Sequence, residues 1–189
     1  MNETLSVIKN RRSIRSFKRD AVTDEQISQI LEAGLYAPSA MNEQPWHFTV
    51  ITNQDTMKRL SKASAEIFIN SGNEALKKRL GGRTPEEVDL FYHAPVVIVV
   101  SGEANTIAPQ IDCALAIENM FLAAESLRIG SCWIHALGHV CALPEGQKML
   151  TEEGIVPPGN IVVGTAVFGY RTEAAIAPPR KENTVSYID

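Results

Sequence analysis

The stretch PVVIVVS, Pro95 to Ser101, followed by IDCALAIENMFLAAESL, Ile111 to Leu127, decides the fold. In the first, β-branched residues run on without a polar break, as expected of a strand buried on both faces. In the second, apolar residues cover nearly the whole circumference of a helix. Its polar Asp112, Asn119 and Ser126 recur seven apart and predict a narrow wet stripe. Such a helix is either wholly internal or packed between two subunits.

Working outward, Leu5, Val7 and Ile8 open a short helix that ends near the basic cluster Arg11-Arg12-Ser13-Ile14-Arg15. Thr23 with Gln26 reads as a capping box. Behind it Ile27, Ile30, Leu31 and Leu35 recur at helical spacing until Ala37-Pro38 stops the helix. Trp46 to Thr52 has strand composition, and Met57 to Phe68 reads as a further helix. The polar segment from Asn70 to His93 predicts a mobile helix and loop over one face. Ser131 to His135 is expected to be a strand, Pro144 to Leu150 a short helix with proline in its first turn, and Asn160 to Tyr170 a last strand. Beyond Tyr170 the proline-dotted tail, with Val185, Tyr187 and Ile188, is expected to lie extended against a neighbour. Strands and helices mix without a regular βαβ repeat, which predicts an α+β domain over residues 1–189.

Composition narrows the function classes. A chain of 189 residues with 44% hydrophobic and 21% charged residues is ordinary globular material. Its formal charge of −4 gives no general field for nucleic acid. The longest apolar runs, such as Val96 to Val100, are far too short to span a bilayer, and no apolar stretch of leader length precedes Arg12. Cys113, Cys132 and Cys141 make an odd count without CxxC spacing, so a reducing, cytoplasmic setting is expected, with the thiols as small buried apolar groups. No GxGxxG, Walker A, HExxH or GxSxG pattern is present. Gly164 and Gly169 fall inside an apolar strand, where close backbone packing accounts for them. Cys132, His135, His139 and Cys141 match no common zinc spacing, and no metal is expected.

Two motifs carry chemistry. Arg11, Arg12, Ser13 and Arg15 gather three guanidiniums and a hydroxyl within five residues. Guanidinium forks suit a phosphate, whereas cations at a helix C-terminus need no ligand, and both readings stand on the residues alone. In APSAMNEQPWH, Ala37 to His47, small and amide side chains lie between prolines. They suit either reading a polar heterocycle or bonding the turn itself.

Together, RRSIR and PSAMNEQPW, with the buried strand and helix beyond, resemble the nitroreductase family along essentially the whole chain. The resemblance implies an α+β fold with a central, mainly antiparallel sheet flanked by helices, in a domain-swapped homodimer. Two FMN molecules would sit at the subunit interface, and the C-terminal arm, residues 171–189, would pack on the partner. It implies ping-pong hydride transfer from NAD(P)H through flavin to nitroaromatics, quinones or similar acceptors. A specialised flavin reaction such as reductive dehalogenation or flavin cleavage, and a flavin-binding protein without turnover, are the alternatives.

Carried over by position, Arg11, Arg12, Ser13 and Arg15 would hold one flavin, with Arg180 as a late phosphate ligand. Pro38, Ser39, Ala40, Asn42 and Gln44 would reach that flavin from the partner subunit. Asn73 and Lys77 match a family contact to the isoalloxazine, and Ile134, His135, Ala136 and Gly138 fall where the family offers backbone groups. Arg15 and Lys77 would tune the reduced flavin, and no side chain acts as nucleophile. Lys77, Lys78, Arg79 and Arg83 suit either the extra phosphate of NADPH or a solvated helix face. Pro178 stands where some members carry another cation.

Overall fold

The computed structural model describes residues 2–188, with the side chains of Leu76 and Arg79 outside the description. Four strands, β1 (Trp46–Ile51), β2 (Val96–Glu103), β3 (Gly130–Ile134) and β4 (Asn160–Gly169), form one sheet in the order β1-β2-β4-β3. Every neighbouring pair is antiparallel, so the expected α+β architecture is borne out. Among the described residues seven α-helices accompany them: α1 (Glu3–Asn10), α2 (Asp24–Leu35), α3 (Gln54–Asn70), α4 (Glu74–Leu80), α5 (Pro109–Ser126), α6 (Ala136–Cys141) and α7 (Pro144–Glu152).

The strand read from PVVIVVS is central, and its side chains divide between two cores. Val97 and Val99 join Leu60, Phe68, Leu137 and Leu150, from α3, α6 and α7. Val96, Ile98 and Val100 join Ile30, Ile117, Met120 and Phe121, from α2 and α5. A strand alternates its side chains between faces, so an unbroken β-branched run feeds both layers at once. The capping box forms as expected, with Thr23 Oγ accepting from Gln26 N–H (3.2 Å) and Gln26 Oε1 accepting from Thr23 N–H (3.1 Å).

Two expectations need correction. The wet stripe on α5 does not exist as drawn: Asp112 is 2% exposed, while Ile111 and Leu115 of the same helix are 64% and 41% exposed. The helix turns its acid inward because a loop N–H is there to meet it, and presents aliphatic groups outward. His135 ends no strand; β3 stops at Ile134 and α6 follows, a helix the sequence reading missed. The helix expected after Asn70 is α4, which is followed by Gly81 and Gly82, both at positive φ (63° and 78°). Such a left-handed glycine pair reverses the chain cheaply. From residue 172 to 188 the chain forms no helix or strand and is exposed, including Ile176, Val185 and Tyr187.

Gly164 shows the packing that its place in β4 suggested. A Cβ there would lie 2.5 Å from the Trp133 ring and 2.8 Å from Ile117. At Gly138, inside α6, the nearest atoms to an added Cβ are 3.9 Å away. The two sites therefore predict opposite signs in thermal melts. Gly164→Ala costs about 1–3 kcal/mol from overpacking, and Gly138→Ala gains roughly 0.5–1 kcal/mol from helix propensity.

Candidate active site

The site is built on the edge strand β3. Ser13 forms a parallel bridge with Ser131, Ile14 N–H donates to Ser131 C=O (2.8 Å), and Phe17 bridges Arg171 just beyond β4. Ile14 is buried, and its side chain fills the space where a Cβ on Gly130 would stand at 2.9 Å. Alternation about that anchor leaves Ser13 and Arg15 exposed on either side of it.

The three arginines then separate. Arg12 donates to Lys9 C=O and Arg11 C=O, the orphan carbonyls at the end of α1, so its guanidinium takes the helix-capping role. Arg11 pairs with Glu118 of α5 (3.4 Å) and stands over the Phe121 ring at 5.9 Å. Arg15 makes no ion pair or hydrogen bond among the described residues, and it borders two hollows, of about 300 and 230 Å³. Ser13 also borders the smaller hollow, together with residues 173–175. Burial pushes the Cys132 thiol up, against the opposing pull of Arg15, a Ser13 hydrogen bond and Arg11. Arg11 and Arg15 thus both act on Cys132 of β3.

The larger hollow lies between two segments. One runs from Trp133 to Ala136, with His139; the other comprises Leu80, Arg83, residues 88–90 and Tyr92. Trp133 Nε1–H donates to His135 Nδ1 (3.4 Å), and the His135 and His139 rings meet edge to face at 4.6 Å. Ile134, His135 and Ala136 line this hollow, while Gly138, two residues further into α6, does not. Asn73 and Lys77 are not on its wall. Asn73 Oδ1 accepts from Ala75 N–H (3.0 Å) at the start of α4, and Lys77 Nζ pairs with Glu74 (2.9 Å). Arg180 lies on the exposed arm.

The loop from Pro38 to Gln44 forms a separate unit beside α5. Met41, Asn42 and Gln44 all have positive φ (51°, 58° and 49°). Asp112 Oδ1 accepts from Ala40 N–H (3.1 Å), Ser39 Oγ accepts from Gln44 N–H (3.0 Å), and Asn42 Oδ1 accepts from Gln44 Nε2 (3.0 Å). Glu43 reaches Ile107 N–H (2.8 Å). A left-handed run of non-glycine residues costs of order 1–3 kcal/mol each and persists only where surroundings impose it. Sequence reasoning missed Asp112 as the anchor, although an isolated acid among apolar residues at a helix start was the available signal. It also missed Tyr92 and Trp133, for which spacing offered none.

No activated nucleophile stands at the site. The Cys113 thiol is pushed up to about 12 by burial and the neighbouring Asp112, and the other two cysteines are buried as well. What the arrangement offers is unpaired positive charge beside aromatic walls. That suits binding a planar anion rather than covalent catalysis.

Comparison with known proteins accords with this. The family model described as the Nitroreductase family matches residues 8–170. An Archaeoglobus fulgidus relative named NADH dehydrogenase/NAD(P)H nitroreductase is 32% identical over 90% of this chain and 86% of its own. A nitroreductase with bound FMN from Bacteroides fragilis is 40% identical and superposes with a TM-score of 0.89 over 100% of both chains. Another with bound FMN, from Desulfitobacterium hafniense, is 27% identical with a TM-score of 0.87 over 100% of both chains.

The anchoring of the loop is testable. Asp112→Ala leaves the Ala40 N–H without its acceptor and is expected to lower unfolding free energy by about 1–3 kcal/mol, read from urea midpoints. Asp112→Asn keeps a carbonyl oxygen and should lose less.

Proposed function

This chain belongs to the Nitroreductase family, and on that premise we propose that it is an FMN-dependent oxidoreductase carrying reducing equivalents from NAD(P)H to small acceptors by a ping-pong sequence. The observation that carries this reading is the unpaired Arg15 guanidinium at the junction of two hollows, with Ser13 and the β3 edge beside it. A flavin mononucleotide is a planar, polar-edged ring joined to a doubly charged phosphate. An elongated, cation-bearing groove with an aromatic wall fits that shape and charge.

In this reading Arg15 faces the pyrimidine edge, where its charge favours the reduced, negatively charged form. Ser13 and Arg11 hold the ribityl and phosphate portion, with Arg180 brought in by the arm. Arg12 serves by fixing the end of α1, so that the cluster that follows starts from a set position. Ile134, His135 and Ala136 supply the wall beside the ring. The bound FMN supplies the two-electron chemistry itself, which explains why the chain offers no nucleophile or triad.

The loop holding Pro38, Ser39, Ala40, Asn42 and Gln44 serves the flavin of a second subunit. Exposed Leu5, Ile8, Leu35, Ile111 and Leu115 form the apolar surface of α1, α2 and α5 on which two copies meet. The arm after Tyr170, with Ile176 and Tyr187 exposed, covers the partner. No helix among the described residues is long and apolar enough to cross a membrane, and a cytoplasmic homodimer is the setting we propose.

Two measurements test this. Purified protein loaded with FMN should lose its yellow colour on anaerobic mixing with NADH or NADPH and regain it with a nitroaromatic or quinone; protein that stays yellow is no oxidoreductase. Arg11→Ala and Arg180→Ala should each weaken FMN binding by about 1.5–3 kcal/mol, roughly 10- to 150-fold in Kd. Equal affinity in wild type and both variants would remove the phosphate roles.

A further inference from the structure

The wall of the larger hollow carries a second guanidinium besides Arg15, on Arg83. The left-handed pair Gly81-Gly82 ends α4 and turns the chain back, and Arg83 Nε–H donates to Leu80 C=O (2.9 Å). That bond fixes the head group while its two Nη groups make no hydrogen bond or ion pair among the described residues. The ionisable groups bordering the same hollow are Arg15, Arg83, Asp89, Tyr92, His135 and His139. Asp89 is the one acid among them, and its carboxylate is taken up by its own turn. Oδ1 accepts from Phe91 N–H (2.8 Å), and Oδ2 accepts from His93 N–H (2.6 Å) and meets His93 Nδ1 (2.8 Å). Neither cation of the hollow is neutralised by it.

The same turn holds Tyr92 and His93 at φ of 55° and 54°. Left-handed backbone is unfavourable for a bulky aromatic residue and persists because Asp89 grips both flanking N–H groups. The outcome is a phenol ring held at the edge of a hollow of about 300 Å³, near a free guanidinium fork. A planar fork pairs with a carboxylate through two parallel hydrogen bonds.

We propose that this hollow selects aromatic acceptors bearing a carboxylate, with Arg83 as the residue that recognises the anionic group. The inference rests on the flavin reading above, in which Arg15 is committed to the cofactor and Arg83 is left for the acceptor.

The test uses FMN-loaded protein and two ring-matched probes, 4-nitrobenzoate and 4-nitrobenzamide, with binding read by calorimetry. Wild type should bind the carboxylate about tenfold or more tightly than the amide, as expected for a charge-assisted hydrogen bond. Arg83→Gln should bring the ratio near unity, and Arg83→Glu should invert it. A wild-type ratio near unity, or a preference that survives in Arg83→Gln, overturns the proposal. Should Arg83→Gln bind neither probe, Arg83→Lys decides: a retained carboxylate preference supports the proposal, and its loss overturns it. The rates of flavin bleaching by NADH and NADPH are measured beside these. If Arg83→Gln slows NADPH alone and keeps the carboxylate preference, Arg83 serves the cosubstrate's phosphate and the proposal fails. Absence of bleaching in wild type would sink the oxidoreductase reading by itself, while the calorimetric ratio would still judge Arg83.

Discussion

The site depends on how residues 13–18 are fastened to the sheet. One backbone bond, Ile14 N–H to Ser131 C=O, together with the bridge from Phe17 to Arg171 and Lys18 N–H to Tyr170 C=O (2.7 Å), lays this segment along the edge of β3 and the end of β4. The burial of Ile14 against Gly130 fixes which way the alternation runs. With Ile14 inward, Ser13 and Arg15 must face the groove. A side chain at position 130 would push Ile14 off the strand and carry the cations with it. The glycine is thus a condition of the electrostatics as much as of the packing.

The fold was legible in the sequence because its central strand is unambiguous. Val96 to Val100 has no polar face to hide, so two covering layers follow from it directly, and the capping box at Thr23 marks the start of α2 to the residue. Where the reading slipped, a local signal met a tertiary one. Asp112 looks like a surface position by residue type, yet the Ala40 N–H rewards its burial. The boundary at His135 was blurred because Ser131 to Leu137 reads as one apolar stretch, and periodicity over so few residues does not separate a strand end from a helix start.

The candidate site was only half legible, for a different reason. Charge clusters announce themselves in a sequence, but the partner of each charge does not. Arg11, Arg12 and Arg15 look equivalent in the string RRSIR. In space one meets Glu118, one caps α1, and one is unpaired. Lys77 illustrates the same point, since Glu74 one helical turn away engages it locally. Arg83 gains its position from a glycine turn, and nothing in its own neighbourhood distinguishes it from the cations of α4.

Backbone strain falls where these arguments lead. Apart from glycine, positive φ occurs at Met41, Asn42 and Gln44, at Tyr92 and His93, and singly at Arg128 and Asn183. A carboxylate braces each cluster: Asp112 accepts from Ala40 N–H beside the first, and Asp89 accepts from Phe91 and His93 N–H in the second. Bonds from loop N–H groups to such acids offset strain that the residues themselves would not sustain. Neither cluster contributes to the two hydrophobic cores through its left-handed residues. The stability given up there therefore serves shape at a surface, and in both places the shape presents side chains outward: amides and a methionine in one, a phenol and an imidazole in the other. The scaffold thus concentrates its backbone costs in two surface loops and keeps its sheet and helices regular.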